Sequence, residues 1–163
     1  MDDTDRALLV ELQENCDRSA KELANALAKR GYQLMGPAVA ARKKRLIADG
    51  LIQRAVVLLD AKRCGFNLYV LLVRLKDGST HAEDAVSEAI LSIPEVVEFH
   101  TCLGDDVHNV VKLMADDVAR VNTISRLLRS LPQVDNVTSL NVAETRRYST
   151  AVPINAPMNG STE

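Results

Sequence analysis

The sequence predicts an α+β chain with an N-terminal helix-turn-helix (winged-helix-like) domain and a C-terminal ferredoxin-like βαββαβ domain. Within residues 5–48, apolar residues recur at helical spacing in three segments separated by capping residues. From residue 66 onward, segments with strand and helix patterns follow in the order strand, helix, strand, strand, helix, strand. The chain has 163 residues, 47% of them hydrophobic, which is enough apolar material to bury a core.

The first two predicted helices have clear start signals. Residues 5–13 place Leu8, Leu9 and Leu12 on one face, and Thr4 or Asp5 is available as the N-cap. The second helix begins after Ser19, because a glutamate three residues later completes a capping box. It runs to about residue 29, and a glycine that tolerates a left-handed conformation follows it.

The third predicted helix opens at Gly36-Pro37 and stops at Asp49-Gly50. Proline is favourable in a first turn because the N–H that it lacks would have no partner there. This helix carries four consecutive basic residues, at positions 42–45. Such a run is often only a solvent-exposed helix face, so the neighbouring motifs must show whether it contacts a partner.

The rest of the chain has a strand-rich pattern. Strand candidates cover 51–59, 66–75, 96–103, 107–114 and 134–142, and helix candidates cover 81–93 and 116 or 117 to 131. Lys76-Asp77-Gly78 predicts a turn, and Gly104-Asp105-Asp106 predicts a tight hairpin connection. We therefore expect four segments: a helix-turn-helix domain at 1–53, a β-linker at 54–65, a ferredoxin-like domain at 66–147 and a tail at 148–163.

Composition excludes several classes of protein. The formal net charge is −2, so no overall positive charge favours a polyanionic partner. Three scattered cysteines without a CxxC pair argue against a disulfide framework and against a zinc site. The first residues are acidic rather than apolar, and no run is long enough to span a membrane. We expect a soluble cytoplasmic protein with no membrane partner, no metal and no cofactor.

Six short motifs occur in a definite order along the chain. They are Asp2-Asp3-Thr4-Asp5-Arg6 with Leu9, Leu12 and Gln13; Ser19-x-x-Glu22-Leu23-Ala24; Arg42-x-x-Arg45-Leu46-x-x-x-Gly50-Leu51-Ile52; Leu58-Leu59-Asp60-x-x-x-x-Gly65; Pro94-Glu95-Val96-Val97-Glu98; and Leu103-Gly104-Asp105. Together these motifs resemble the Lrp/AsnC (feast/famine) family of transcription regulators. The resemblance implies a non-enzymatic regulator that binds double-stranded DNA and responds to a small effector, an amino acid. It also implies a homodimer that assembles further into tetramers or octamers.

The resemblance places DNA contacts on the third helix and the turn before it. We expect phosphate contacts from the basic run, because cations beside a helix in the major groove are attracted to the backbone. The first turns offer small apolar side chains, which reach thymine methyl groups and form no hydrogen bonds with bases. The predicted DNA-binding residues are Gln33, Pro37, Ala38, Ala41, Arg42, Lys44 and Arg45. The alternative is a helix-turn-helix that serves only packing or dimerisation.

The resemblance also places an effector where ferredoxin-like domains of neighbouring dimers meet. An amino acid needs a carboxylate for its ammonium group and N–H donors for its own carboxylate. The predicted effector residues are Thr101, Leu103, Gly104, Asp105, Asp106, His108 and Ser139. The alternative for the Gly-Asp-Asp segment is an ordinary hairpin turn.

Two departures from the family pattern keep other functions open. The connection at 28–35 between the second and third helices is longer than the family's usual turn, which would suit a DNA-silent, ligand-sensing paralogue subunit. The loop at 104–108 holds an extra residue and lacks the family's final aspartate in register. Sirohaem decarboxylases share the two-domain plan, but they would need His and Arg side chains that converge on a large pocket. The candidates for that pocket are His100, His108, Arg120, Arg126 and Arg129.

Overall fold

A computed structural model describes residues 1–77, 79–104, 106–146 and 149–154. The chain divides into two compact units. The first consists of residues 1–57 together with the described part of the C-terminal segment, 149–154. The second covers residues 58–146. Each unit has its own hydrophobic core.

Three helices form the first unit: α1 (Asp3–Glu14), α2 (Ala20–Lys29) and α3 (Gly36–Ala48). Each contributes an apolar stripe to one core, which confirms the helical periodicity read from the sequence. The buried core residues are Ala7, Leu8, Leu9, Leu23, Ala24, Leu27, Val39 and Leu46. The three-helix order, with a short connection before α3, is that of a helix-turn-helix unit.

The first helix starts earlier than predicted. Its N-cap is Asp2, and neither Thr4 nor Asp5 caps it. The Asp2 side chain accepts a hydrogen bond from the backbone N–H of Asp5 at 2.7 Å, and the Asp5 side chain accepts one from the N–H of Asp2 at 3.2 Å. This reciprocal pair is a capping box made of two aspartates, so the prediction of a later cap was wrong. The capping box between Ser19 and Glu22 is confirmed at the start of α2.

The third helix has the predicted boundaries. Pro37 lies in its first turn, and its N-cap residue, Met35, forms no side-chain capping bond. Gly50 follows the C-cap Asp49 with a φ of +74°, a left-handed conformation that side chains disfavour. The predicted strand at 51–59 is not formed: residues 51–66 of this chain contain no strand. A strand needs a hydrogen-bonding neighbour, and the apolar side chains at 56–59 are instead exposed to solvent.

The second unit is a βαββαβ domain, as predicted. Its elements are β1 (Asn67–Leu75), α4 (Thr80–Leu91), β2 (Val96–Thr101), β3 (Asn109–Ala115), α5 (Val118–Arg129) and β4 (Val134–Asn141). The strand order is β2-β3-β1-β4, and every neighbouring pair is antiparallel. Of the two aspartates predicted to cap α5, Asp117 is the N-cap. The predicted turn at 76–78 includes Gly78, which lies outside the described residues.

The sheet has one covered face and one open face. Alternate residues of β1, from Tyr69 to Leu75, are buried, and alternate residues of β3, from Asn109 to Ala115, are buried with them. The apolar members of both sets form the core with side chains from α4 and α5. Leu113 is therefore a core residue. The intervening residues of both strands lie on the other face and stay partly exposed.

The connection between β2 and β3 is longer than the tight hairpin predicted. The strands end at Thr101 and resume at Asn109, and the backbone N–H of Cys102 donates to the carbonyl of His108 at 2.7 Å. Residues 102–108 therefore connect the two strands, and the predicted tight connection of three residues, 104–106, was too short. No helix in the described ranges is long and apolar enough to cross a membrane.

Candidate functional site

The solvent-facing side of α3 carries most of the predicted DNA contacts. Val39 and Leu46 point into the core, so the residues on the opposite side of the helix face water. The exposed residues of α3 on that side are Pro37, Ala38, Ala40, Ala41, Lys44 and Arg45. Gln33 is also exposed, in the connection between α2 and α3. This surface, which we call the α3 face, is lined mainly by small apolar side chains.

The two lysines of the basic run differ in their surroundings. Lys43 is half-buried, and its Nζ donates to the carbonyl of Cys16 at 3.4 Å. Lys44 is exposed and pairs with no carboxylate in the part of the chain that the structure describes. The charge of Lys44 is therefore available to an external anion.

The two arginines of the run are bound to aspartates of α1 and its cap. Arg42 Nη1 donates to Asp2 Oδ2 and to Asp5 Oδ1, each at 2.7 Å. Arg45 Nη2 donates to both carboxylate oxygens of Asp5, also at 2.7 Å. Asp5 is only 2% exposed, so it is a buried charge with two cationic partners. These four residues, the Asp–Arg cluster, have no net formal charge.

Hydrogen bonding within the Asp–Arg cluster shifts the pKa values of Asp2 and Arg42. The bond from Arg42 holds the pKa of Asp2 below its ordinary value, and the bond from the Asp5 N–H acts in the same direction. The carboxylates of Asp2 and Asp5 accept hydrogen bonds from Arg42 and raise its pKa. Two of the three positively charged residues predicted to contact DNA are therefore balanced within the chain. The assignment of phosphate contacts to Arg42 and Arg45 stays a prediction.

Asp5 was not among the predicted site residues, although the sequence contains a signal for its burial. Asp5 precedes Leu8, Leu9 and Leu12 at the spacing i, i+3, i+4 and i+7, so it continues the apolar stripe of α1. A carboxylate in such a stripe requires a buried partner, because an unpaired buried charge is costly. The partner is not evident from the sequence, since it depends on how α1 packs against α3.

A second buried carboxylate of α1 lies in a different environment. Glu11 is 5% exposed and accepts a hydrogen bond from Arg30 Nε at 2.6 Å. Arg18 donates to its other oxygen. Both arginines flank α2, and neither belongs to α3. Asp5 and Glu11 therefore form similar bridges from one helix, but only the Asp5 bridge involves the α3 face.

The predicted effector loop is exposed in a single chain. Leu103 is fully exposed, and the Asp106 carboxylate lies 3.8 Å from Arg74 Nη1. Gly104 does not have a left-handed backbone, and a Cβ added there would make only ordinary contact with the carbonyl of Val107. Its conformation therefore does not require glycine. The predicted contact of Asp105 lies outside the described residues.

Three polar side chains lie where this loop meets the sheet. His108 Nδ1 accepts a hydrogen bond from the backbone N–H of Leu75 at 3.2 Å, so the neutral ring carries its proton on Nε2. Asn109 is fully buried, and its Oδ1 accepts from Thr101 Oγ1 at 3.4 Å. The Asn109 Nδ2 has no hydrogen-bond partner among the described residues. A buried amide donor without an acceptor is unusual and favours a polar ligand or water.

Ser139 does not join this loop within one chain. It lies on β4, whereas Thr101 lies on β2, and these strands form opposite edges of the sheet. The two edges are separated by roughly 14 Å at the usual strand spacing. The Ser139 hydroxyl hydrogen-bonds that of Ser125 at 2.7 Å. A shared site therefore needs Ser139 from another copy of the chain.

The side chains required for a tetrapyrrole pocket do not converge. Arg120 pairs with Glu95, and Arg129 donates to the carbonyl of Val137. His100 is exposed and pairs with Glu98 on the same strand. The described ranges also hold no cluster of three or more His, Cys, Asp or Glu placed to bind a metal. The arrangement is that of a helix-turn-helix unit joined to a ligand-binding domain, the organisation of a DNA-binding regulator.

Comparisons with known proteins agree with this class. The model of the AsnC-type helix-turn-helix domain matches residues 1–47, and that of the Lrp/AsnC ligand binding domain matches residues 69–152. The chain is 30% identical to the DNA-binding transcriptional activator DecR of Escherichia coli, over 94% of this chain and 99% of DecR. It therefore belongs to the Lrp/AsnC family of transcriptional regulators.

Solved structures show the same fold. An AsnC family transcriptional regulator from Agrobacterium tumefaciens is 27% identical and superposes with a TM-score of 0.83, over 95% of this chain and 98% of that one. A transcriptional regulator from Neisseria meningitidis in complex with L-Met is 22% identical, also with a TM-score of 0.83, over 95% and 97% of the two chains. The architecture predicted from the sequence is thus confirmed by both comparisons.

Proposed function

We propose that this regulator binds duplex DNA through the α3 face and binds a free amino acid at the loop between β2 and β3. The observation that carries the DNA part is the composition of the α3 face. Small side chains let the helix approach the floor of the major groove closely, and Lys44 lies beside them with no carboxylate partner among the described residues. Arg45 is the second cation of this surface, since half of its side chain is exposed.

The same composition predicts how sequence is read. The alanines and Pro37 make apolar contacts with thymine methyl groups, but they offer no hydrogen bonds to base edges. Gln33 is the polar exception among the proposed contacts. Direct discrimination between bases is therefore modest, and sequence-dependent DNA shape contributes the rest.

Retardation of promoter DNA by the purified protein tests the DNA part. Lys44→Ala should weaken binding several-fold for all sequences, and it should reduce the salt dependence by about one phosphate contact. Lys29→Ala is the matched control, because Lys29 is an exposed lysine of the same unit that lies outside α3. Equal binding by wild type and the Lys44 variant would contradict the proposed surface.

The effector part is supported by the chemistry of the loop. Asp106 offers an exposed carboxylate for an ammonium group, and His108 Nε2–H is a donor held in a fixed orientation. The Neisseria regulator of the same fold was crystallised with L-Met, an amino acid. Calorimetry with each amino acid tests this proposal, and Asp106→Ala should remove any heat of binding. No heat with any of them would contradict the proposal.

A homodimer is the assembly that we propose, with further assembly into tetramers or octamers. The open face of the sheet carries Leu68, Val70, Leu72 and Val110, which neither helix covers. The linker at 56–59 adds four consecutive exposed apolar side chains. A second copy would cover both surfaces, and a neighbouring dimer would supply Ser139 to the effector loop. A two-fold axis would also present two α3 faces to a palindromic site.

A DNA-silent subunit that senses the ligand for a paralogue is the second candidate. The Asp–Arg cluster favours it, because it neutralises half of the basic run on α3. Retardation of DNA by the purified chain alone separates the two functions. Binding that survives physiological salt would reject the silent subunit.

A further inference from the structure

We infer that Asp5 is a positioning residue for DNA binding: it orients the Arg45 guanidinium toward a backbone phosphate. This inference rests on the proposed function of the α3 face and assigns different roles to the two arginines of that helix. It follows from which guanidinium nitrogens of the two arginines bind aspartates and which are free to bind DNA.

The carboxylate of Asp5 is fixed on all sides. Its two oxygens accept hydrogen bonds from Arg42, from Arg45 and from the backbone N–H of Asp2. Because the residue is 2% exposed, water does not compete for these positions. A buried carboxylate whose two oxygens both accept hydrogen bonds holds its donors in one geometry.

Arg45 is held by one nitrogen and keeps two others free. Only its Nη2 donates to Asp5, and its Nε and Nη1 have no partner within the described residues. The side chain is 51% exposed, so a phosphate oxygen can reach the N–H groups of Nη1 or Nε. A group already fixed in position loses less entropy when it binds.

Arg42 has a different role. Its side chain is only 26% exposed, and its Nη1 bridges Asp2 and Asp5. This pairing offsets part of the charge of the two aspartates, which would otherwise repel a phosphate near Arg45 more strongly. Arg42 therefore reduces the negative charge at the start of α1, while Arg45 makes the contact with DNA.

Two substitutions test the positioning role by a double-mutant cycle. Asp5→Asn and Arg45→Ala should each weaken DNA binding, by roughly tenfold, and the double variant should be little worse than either one. Glu11→Gln is the matched control, because Glu11 is a comparably buried carboxylate of α1 that bridges two arginines away from α3. Glu11→Gln should lower the melting temperature but leave the DNA affinity of the folded protein unchanged.

Arg45→Lys tests the positioning role while leaving Asp5 in place. Lysine keeps the charge but lacks the planar guanidinium, in which Nη2 binds Asp5 while Nη1 and Nε stay free, so the positioning role predicts an affinity close to that of Arg45→Ala. Wild-type affinity for Arg45→Lys would overturn the inference. So would additive effects in the cycle, or equal affinity losses for Asp5→Asn and Glu11→Gln.

The proposed function and this inference fail in different ways. If Lys44→Ala weakens binding and Arg45→Ala does not, the α3 face binds DNA but Asp5 positions no phosphate contact. If the wild-type chain retards no DNA, the proposed function itself is wrong. Circular dichroism of each variant at the assay temperature measures the folded fraction to which every affinity is referred.

Discussion

The side-chain amide of Gln13 in α1 exchanges two hydrogen bonds with the backbone of Val152. Its Oε1 accepts from the Val152 N–H at 2.5 Å, and its Nε2 donates to the Val152 carbonyl at 3.2 Å. Ile154 packs against the core of the same unit two residues later. Residues 149–154 are thus a structural part of the helix-turn-helix unit, whereas the sequence alone predicted a separate tail at 148–163.

The first prediction concerns this contact. Gln13→Ala should destabilise the first unit by about 1 kcal/mol, because two backbone groups lose their partner. Removal of residues 149–163 should have a larger effect, since the apolar contact of Ile154 is lost as well. Thermal unfolding followed by circular dichroism measures both. An unchanged melting temperature for the truncated chain would mean that the segment does not stabilise the unit.

The second prediction concerns His108. His108→Ala leaves the Leu75 N–H without its acceptor and should lower the free energy of unfolding of the second unit by about 1 kcal/mol. His108→Asn should restore part of this loss, because the Asn Oδ1 lies near the position of Nδ1. Urea unfolding compares the two variants, and equal losses for both would contradict the role of the hydrogen bond.

The third prediction concerns Asn109. Its Nδ2 is buried and has no hydrogen-bond partner in the described ranges, so Asn109→Val should leave stability unchanged or raise it by up to about 1 kcal/mol. Loss of effector binding in this variant, at full stability, would indicate that the amide serves the ligand. A large drop in stability would show that the amide has a partner in solution, such as a bound water molecule.

The fourth prediction is a pH dependence. The pKa of Asp2 is lower in the folded chain than its ordinary value, chiefly because of the bond from Arg42. A carboxyl group whose pKa is lowered on folding stabilises the fold at pH values above its ordinary pKa. That contribution is lost as the pH falls through the pKa of the folded state. The melting temperature should therefore decrease when the pH is lowered below about 4, and the decrease should be smaller in Asp2→Asn. Parallel curves for the two proteins would contradict this assignment.

The fifth prediction concerns assembly. Val70→Glu places a charge on the open face of the sheet, which should prevent association through that face. Light scattering at micromolar concentration should then give a dimer or a larger oligomer of dimers for wild type and a monomer for the variant. A monomeric wild-type protein would reject the proposed dimer.

Local signals in the sequence were sufficient for most of the fold. The capping box at Ser19, Pro37 in the first turn of α3 and the glycine after Asp49 fix helix ends through contacts within a few residues. The prediction of a strand at 51–59 was wrong because a strand needs a neighbouring strand to hydrogen-bond with. Apolar, β-branched composition does not show whether such a neighbour exists. Asp5 was missed for a similar reason, since its role appears only when α1 packs against α3.

The candidate site was less predictable than the fold. The exposure of Ala38, Ala41 and Lys44 followed from helical periodicity, because Val39 and Leu46 had to face the core. The binding of Arg42 to aspartates could not be predicted, because it depends on residues about 40 positions apart in sequence. The separation of Ser139 from Thr101 likewise depends on strand order, which places them at opposite sheet edges.

The return of the chain to its first unit has a consequence for biosynthesis. Residues 1–57 are translated before the βαββαβ domain, whereas Val152 and Ile154 are translated after it. The nascent helix-turn-helix unit therefore lacks part of its packing until the βαββαβ domain has been made. The ligand-binding domain is thus already synthesised when the helix-turn-helix unit acquires these last contacts.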